Sequence, residues 1–283
     1  MTRTAISPRL ATSTLENTPY RGRVDAVRAR SLLEGERFVD VRWVAETGST
    51  NDDAAAWAAA GAPHGALVTA DEQHAGRGRL GRTWHSPAGS HVYASVVLRP
   101  TTADARWSAL GLAVGVGLRD GLRDGALGAG VDLGLKWPND LLVGDRKLAG
   151  ILCEARWIGG APQIVVGFGI NVRRQAWPAE LRARAITLEE ATGAAHRPAD
   201  VLVAVLEALE PVLDEFGARG FAGLRERYES ACVSLGRVVR VSEADGRATE
   251  VFAAALDHDG ALLVRDPGAS RLRRVEAGEL LMP

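Results

Sequence analysis

Polar and apolar residues alternate from Phe38 to Ala45, a period of two that predicts a strand. Ser49-Thr50-Asn51-Asp52-Asp53 then opens an alanine-rich helix: the hydroxyls can cap it, the aspartates favour its positive end, and Gly61 closes it. Short strands are expected at Ala66 to Ala70, at His91 to Leu98 (ended by Pro100), and over 132–137, 141–143, 147–154 and 163–170. Helical patterning returns over 106–124 despite its glycines, from Asp200 to Phe216 with a kink expected at Pro211, and over 221–231. Thr187-x-x-Glu190 is a capping box, and Gly193 suits the end of the helix it starts. Residues 1–30 are rich in Arg, Thr and Ser without a sustained period, which predicts a flexible extension with a short helix over 24–34.

The texture changes after Cys232. From Gly236 to Leu280, short Val/Leu runs are broken by Ala-Asp-Gly246, His-Asp-Gly260 and Asp-Pro-Gly268. Turn signals at this spacing predict a small β-barrel. The expected organisation is therefore an extension over 1–40, an α+β domain over 41–233, and a β-barrel over 234–283. No internal repeat is evident.

Composition narrows the function classes. Hydrophobic residues make up 46% of the 283, ample for a core, and the net charge of −1 gives no global footprint for DNA or an anionic membrane. Two cysteines, Cys153 and Cys232, are too few for a disulfide framework and share no metal spacing. No signal peptide is visible, and no stretch approaches the ~20 apolar residues of a membrane span. The expectation is a reduced, soluble, cytoplasmic protein.

Of 34 basic residues only two are lysines, Lys136 and Lys147, both within one short stretch. Lysine is a compact ammonium with a tunable pKa, whereas arginine is a rigid and permanently charged fork. Two lysines retained side by side in an arginine chain suggest a chemical site, although an exposed lysine is by default a solvated charge. With turns at Pro138–Asp140 and Gly144-Asp145, residue 136 would pair with 142, and 142 with 147. Both lysines would then project from one face, their strands roughly 10 Å apart.

Gly76-Arg-Gly-Arg-Leu-Gly-Arg82 lies in a span from Gln73 to Ala103 that has no acidic residue. Glycines let backbone N–H groups approach a ligand, and arginines add bidentate donors, so the loop suits an anion. It contains Gly-x-Gly-x-x-Gly, but Thr83-Trp-His-Ser-Pro87 cannot open the helix that dinucleotide binding requires, and no Gly-Lys-Ser/Thr marks a P-loop. A solvated basic surface loop is the plain alternative. His74, His85 and His91 have no metal spacing and read as loop or strand residues.

Together these segments resemble the signatures of biotin–protein ligases: Ser49-Thr50-Asn51, Gln73, Gly76 through Trp84 to Pro87, Lys136-Trp-Pro-Asn-Asp140, Arg146-Lys-Leu-Ala-Gly-Ile-Leu152 and Gly167-Phe-Gly-Ile-Asn171. The resemblance runs from about residue 43 to the C-terminus, in the family's order and spacing. It implies a mixed-sheet catalytic domain similar to class II aminoacyl-tRNA synthetases, followed by an SH3-like barrel. It also implies that biotin is activated with ATP and Mg²⁺ to biotinyl-5′-adenylate and passed to one lysine of a biotin carboxyl carrier domain of an acetyl- or acyl-CoA carboxylase. Ser49, Thr50, Asn51 and Gln73 would hold the ureido end of biotin, and Gly76, Arg77, Gly78 and Arg79 would form the loop that closes over the adenylate. Arg82 and Trp84 would support the nucleotide, with Lys136 and Asn139 beside it. Lys147, with Arg79 the catalytic candidates, would contact both the biotin carboxylate and the α-phosphate. Gly150 and Asn171 would line the site, and Asp140 would help hold Mg²⁺, unless it is only a turn-forming residue.

Departures matter as much. Only about forty residues precede the first catalytic strand, without the winged helix-turn-helix of relatives that double as repressors, so a monofunctional ligase without DNA binding is expected. The chain ends Gly278-Glu-Leu-Leu-Met-Pro283 where relatives often place an arginine near the nucleotide, and Leu80 stands where some have another arginine. Family members differ in whether they dimerise, which leaves a homodimer open. The competing readings are a lipoate ligase or octanoyl/lipoyl transferase, and a non-catalytic nucleotide-responsive regulator.

Overall fold

The computed structural model describes residues 38, 40–100, 105–123, 127–128, 130–158, 161–242, 248–276 and 278–281. Most of the expected extension, including its helix over 24–34, lies outside them. The chain runs β1 (Val41–Thr47), α1 (Thr50–Ala59), β2 (Leu67–Gln73), β3 (Val92–Leu98), α2 (Leu110–Arg123), β4 (Leu133–Lys136), β5 (Asp140–Val143), β6 (Arg146–Ile158) and β7 (Ala161–Ile170). Helices α3 (Leu188–Thr192), α4 (Pro198–Arg219) and α5 (Phe221–Ala231) follow, then β8 (Arg237–Ser242), β9 (Ala248–Leu256), β10 (Leu262–Arg265), β11 (Arg273–Val275) and β12 (Glu279–Leu281).

Seven strands form a mixed sheet in the order β1-β2-β3-β7-β6-β5-β4, with β1 and β2 parallel and the other neighbours antiparallel. Alternation along the strands divides its two faces. Val92, Ala94, Val96 and Leu98 of β3, with Ile164, Val166, Phe168 and Ile170 of β7, join the large core beneath α2, α4 and α5. Val97 and Val165 point the other way, into a small core with Ala54, Ala55 and Ala58 of α1. Alanines let α1 lie close to the sheet, but its ten residues cover only part of that face. The uncovered part, beyond the helix N-terminus, is where the cavity lies.

Two of the four glycines of α2 are explained by its neighbours. A Cβ on Gly117 would lie 3.1 Å from Leu209 Cα, and one on Gly121 would lie 2.6 Å from the Ala204 carbonyl oxygen. Two bare positions one turn apart thus let α2 and α4 touch backbone to backbone. The capping box forms as expected: Glu190 N–H donates to Thr187 Oγ1 and the Thr187 N–H to Glu190, and Gly193 ends α3 in the left-handed region. Pro211 lies inside α4, which runs on as one element.

The last five strands form an antiparallel sheet in the order β11-β10-β9-β8-β12. It is tied to the β4–β5 turn by the indole N–H of Trp137, which donates to the Gly260 carbonyl at 3.0 Å, and to α5 by the Leu256 N–H, which donates to Glu229 at 2.9 Å.

Replacing Gly121 by alanine should lower the unfolding free energy by about 1–3 kcal/mol, because backbone rather than a flexible side chain must yield; urea titration measures it. His91 supplies a pH test. Burial pushes its imidazole down to about 4 from 6.5, while its Nδ1 accepts from the Val172 N–H. The folded pKa lies below the unfolded one, so this stabilisation is complete above about pH 6.5 and is lost as pH falls towards about 4. His91→Asn, which keeps an acceptor, should flatten the stability decline across that window; an unchanged slope would remove His91 as its source.

Candidate active site

The cavity begins with missing side chains. Gly167 and Gly169 alternate with Phe168 on β7, so Phe168 enters the core while both glycines face the uncovered side. They pair with Leu152 and Gly150 of β6. Each absence admits a neighbour: a Cβ at Gly169 would lie 2.5 Å from the Trp84 indole, one at Gly150 would lie 2.8–2.9 Å from the end of Lys147 and from Trp84, and one at Gly167 would overlap the Asn51 amide. The floor of the site is bare backbone.

A β-bulge then sets the charges on that floor. Asp140 pairs with Gly150 and Leu141 with Ala149, but Leu142 pairs with Lys147, so β6 carries an extra residue there. Without it, Lys147 and Gly150, three apart, would face opposite sides. Lys136 pairs with Asp140 rather than with residue 142, because the β4–β5 turn occupies only residues 137–139, where a cis Trp137–Pro138 bond lies. The register differs by two from expectation, so the face is kept: Lys136, Asp140, Lys147 and Gly150 all line one cavity of about 440 Å³. Gly144, with φ 57°, makes the tight β5–β6 turn as expected.

The glycine–arginine loop is a small hairpin over this cavity. The Trp84 N–H donates to the Gly76 carbonyl at 2.8 Å and the Gly78 N–H to the Arg82 carbonyl at 2.7 Å, with Arg77 bridged to Thr83. Gly76 itself does not line the cavity, contrary to expectation. It sits at the hairpin base, where a Cβ would lie 2.6 Å from the Trp84 carbonyl oxygen and 2.7 Å from Ser86 Oγ, so the close packing of the turn by itself requires a glycine there. At the tip, exposed Leu80 holds φ 55°, a strained conformation for a bulky residue.

The cavity changes character along its length. At one end Ser49, Thr50, Asn51 and Gln73 present polar, uncharged groups. Ser49 is the N-cap residue of α1 but makes no capping hydrogen bond, so its hydroxyl is not committed to the helix. Gln73 Oε1 accepts from the Thr50 N–H at 2.9 Å, and its Nε2 donates to Ser86 Oγ at 2.9 Å. Fully buried Ser95 lies 2.7 Å from Asn51 Oδ1 and 2.8 Å from Thr50 Oγ1. The middle is apolar, formed by Trp84 over the glycines. Trp84 Nε1 is buried there and makes no hydrogen bond.

The other end is cationic. Lys147 Nζ lies 2.6 Å from Asp140 Oδ1 and 5.2 Å from the centre of the Trp84 ring. Arg79 donates to Asn139 Oδ1 at 3.3 Å, and Asn139 in turn donates to the Ile151 carbonyl at 2.9 Å, fixing its amide. Asn171 donates to the carbonyls of Lys147 and Ile186, both at 3.2 Å, which ties the wall over 181–186 to β6. Lys136 and Arg82 complete this end. Cys153 is behind the wall, its thiol pushed up to about 12 by burial, so it is no nucleophile.

Fifteen of the sixteen sequence-identified residues thus meet in one cavity, Gly76 being the exception. Sequence reasoning missed Asp145, Trp177 and Arg184 on its wall, and Ser86, Ser95 and Glu154 behind it. Only the Gly167-Phe168-Gly169 alternation carried a local signal. The one compact His/Asp/Glu cluster among the described residues, Asp257, His258 and Asp259, is elsewhere, and both its aspartates pair with Arg274.

Comparison with known proteins agrees with this arrangement. Residues 44–171 match the Biotin/lipoate A/B protein ligase family. The chain is 33% identical over 206 residues to the bifunctional ligase/repressor BirA of Bacillus subtilis, covering 72% of this chain and 62% of that protein. It thus spans just over three fifths of the length of that relative. It is 33% identical over 249 residues to the biotin–[acetyl-CoA-carboxylase] ligase of Mycobacterium tuberculosis, covering 87% of this chain and 90% of that one. The fold is similar to that of biotin protein ligase from Aquifex aeolicus in complex with biotin and ATP, with a TM-score of 0.71 and 29% identity over 86% of this chain and 98% of that chain. With one-third identity sustained over nine tenths of a ligase, the chain belongs to the biotin–protein ligase family.

Proposed function

We propose that this protein activates biotin with MgATP to biotinyl-5′-adenylate and pyrophosphate, then transfers the biotinyl group to one lysine of a biotin carboxyl carrier domain. The observation that carries this reading is the cavity's gradient from polar and neutral, through apolar, to cationic. Biotin has the same sequence of parts: a neutral ureido ring, an aliphatic tail and a carboxylate. In this reading Ser49, Thr50, Asn51 and Gln73 hold the ring, Trp84 and the glycine floor hold the tail, and Lys147 meets the carboxylate. Lipoate has no ureido group, and would leave the uncommitted Ser49 hydroxyl at the polar end without a partner, at a cost of about 1–3 kcal/mol.

In the first step the carboxylate oxygen attacks the α-phosphorus, and the bond from that phosphorus to the bridging oxygen of pyrophosphate breaks. Two anions must meet, so Lys147, Arg79 and Arg82 act by positioned charge. Lys147 is held at Asp140 until an anion of the substrates competes for it. Asp140 and Asp145 on one wall suit Mg²⁺, which keeps phosphate oxygens and water among its ligands. Bound there, the ion would withdraw charge from the phosphates. The adenylate is a mixed anhydride labile to water, and the hairpin of Gly76–Trp84 covers it until the carrier amine attacks. We also read 41–233 as the catalytic domain and 234–283 as a small SH3-like barrel, a division supported by the two separate sheets. The free thiols and the lack, among the described residues, of a helix long and apolar enough to cross a membrane suit a cytoplasmic carrier.

Incubation with MgATP, biotin and a purified carrier domain should add one biotinyl group, read by intact mass; addition of lipoate and not biotin would sink the proposal. Lys147→Arg should fold normally by circular dichroism yet lower adenylate formation at least ~100-fold, because a fork cannot replace a point charge lying flat on glycine. Gly169→Ala should displace the Trp84 indole and weaken biotin activation by up to ~100-fold, the scale of a misplacement near 1 Å; pyrophosphate release measures it.

A further inference from the structure

Glu154 lies on β6 outside the cavity lining, yet one of its oxygens joins two parts of the site. Oε2 accepts from Asn51 Nδ2 at 2.7 Å and from Arg77 Nη2 at 2.9 Å. Arg77 belongs to the hairpin over the cavity; Asn51 belongs to the polar wall at the start of α1. The same Arg77 nitrogen also meets Asp52 Oδ1 at 2.8 Å. We propose that Glu154 is a positioning residue that couples the closed state of the glycine–arginine hairpin to the orientation of the Asn51 amide, with Asp52 as a second anchor of the hairpin alone. This rests on the biotin-ligase reading for what the site binds.

The chemistry of each bond separates the two roles. An amide presents one acceptor and one donor end. Asn51 Nδ2 turned to Glu154 leaves Oδ1 to accept from Ser95, 2.7 Å away, while Nδ2 otherwise reaches the Leu152 carbonyl only at a long 3.4 Å. Glu154 therefore fixes the rotation of the Asn51 amide at the polar end, and this needs an acceptor but no charge. Arg77, by contrast, is held by two carboxylates, and charge is what holds it. Glutamate is the side chain that meets both requirements at one atom. Glu154 and Arg77 are each about one third exposed, at 30% and 38%, so water screens the pair enough to let the hairpin open.

The variants split accordingly. Glu154→Gln keeps an acceptor for Asn51 and removes the charge facing Arg77. It should leave the KM for biotin near wild type, while hydrolysis of the adenylate to biotin and AMP without carrier rises about two- to fivefold, the scale of a partly screened ion pair. Asp52→Asn should do the same. Glu154→Ala should raise adenylate loss similarly and also raise the KM for biotin about tenfold, because the Asn51 donor loses its partner. A merely structural role would not let glutamine rescue KM without rescuing adenylate retention. Limited trypsin cleavage after Arg79 reads hairpin opening without any chemistry and should accelerate about two- to fivefold in Glu154→Gln and Asp52→Asn. Unchanged cleavage in both variants, or a KM raised as much by glutamine as by alanine, would overturn the coupling. Wild-type protein that makes no adenylate from biotin, with trypsin cleavage still accelerated in the variants, would instead overturn the ligase reading and leave the hairpin latch standing.

Discussion

The site depends on a strip of sheet without side chains. Gly150, Gly167 and Gly169 leave the backbone of β6 and β7 open on the face that α1 fails to cover. Onto that strip lie an indole, an ammonium stem and an amide, each inside the volume a Cβ would take. Side chains laid flat on backbone have few alternative positions, so the walls are set before a ligand arrives. Such preorganisation is what lets fixed charges act on a reaction without rearranging during it.

The cations of the site are mostly held by groups of the protein itself. Lys147 has Asp140, Arg77 has Asp52 and Glu154, and Arg79 reaches Asn139. Clustered positive charge would otherwise repel and splay. Each of these contacts is partly open to solvent, and a polyanionic substrate offers the cations stronger partners than one carboxylate does. The hairpin that carries Arg77, Arg79 and Arg82 stands on a Gly76–Trp84 backbone bond, so the cover and the indole beneath it are one piece.

Features set by neighbours in sequence were legible: the capping box at Thr187, the Gly144 turn, the alanine helix after Ser49, and the mixture of strands and helices that makes the larger domain α+β. The motif residues were legible as well, because chemistry constrains their type. What failed depended on distance through the chain. The β4–β5 register was misplaced by two because nothing local reveals that residues 137–139 make so short a turn. The place of Gly76 at the hairpin base was not visible either, because a glycine needed by a ligand and one needed by a hairpin base are the same letter. Ser95 and Glu154 went unseen because their partner Asn51 lies 44 and 103 positions away. The length of β6 was also underestimated, since its far end continues to Ile158.

The extra residue in β6 also guards assembly. If β5 and β6 paired one residue out of step, the ammonium of Lys147 would pass through the sheet to the side where Leu148, Ala149 and Ile151 are buried. An unpaired charge there would cost several kcal/mol, a large part of the whole stability of a domain. A misaligned hairpin would therefore be rejected during folding instead of persisting as an intact but inactive molecule, and the same ammonium that meets anions in the finished protein serves beforehand as the proofreader of its own strand.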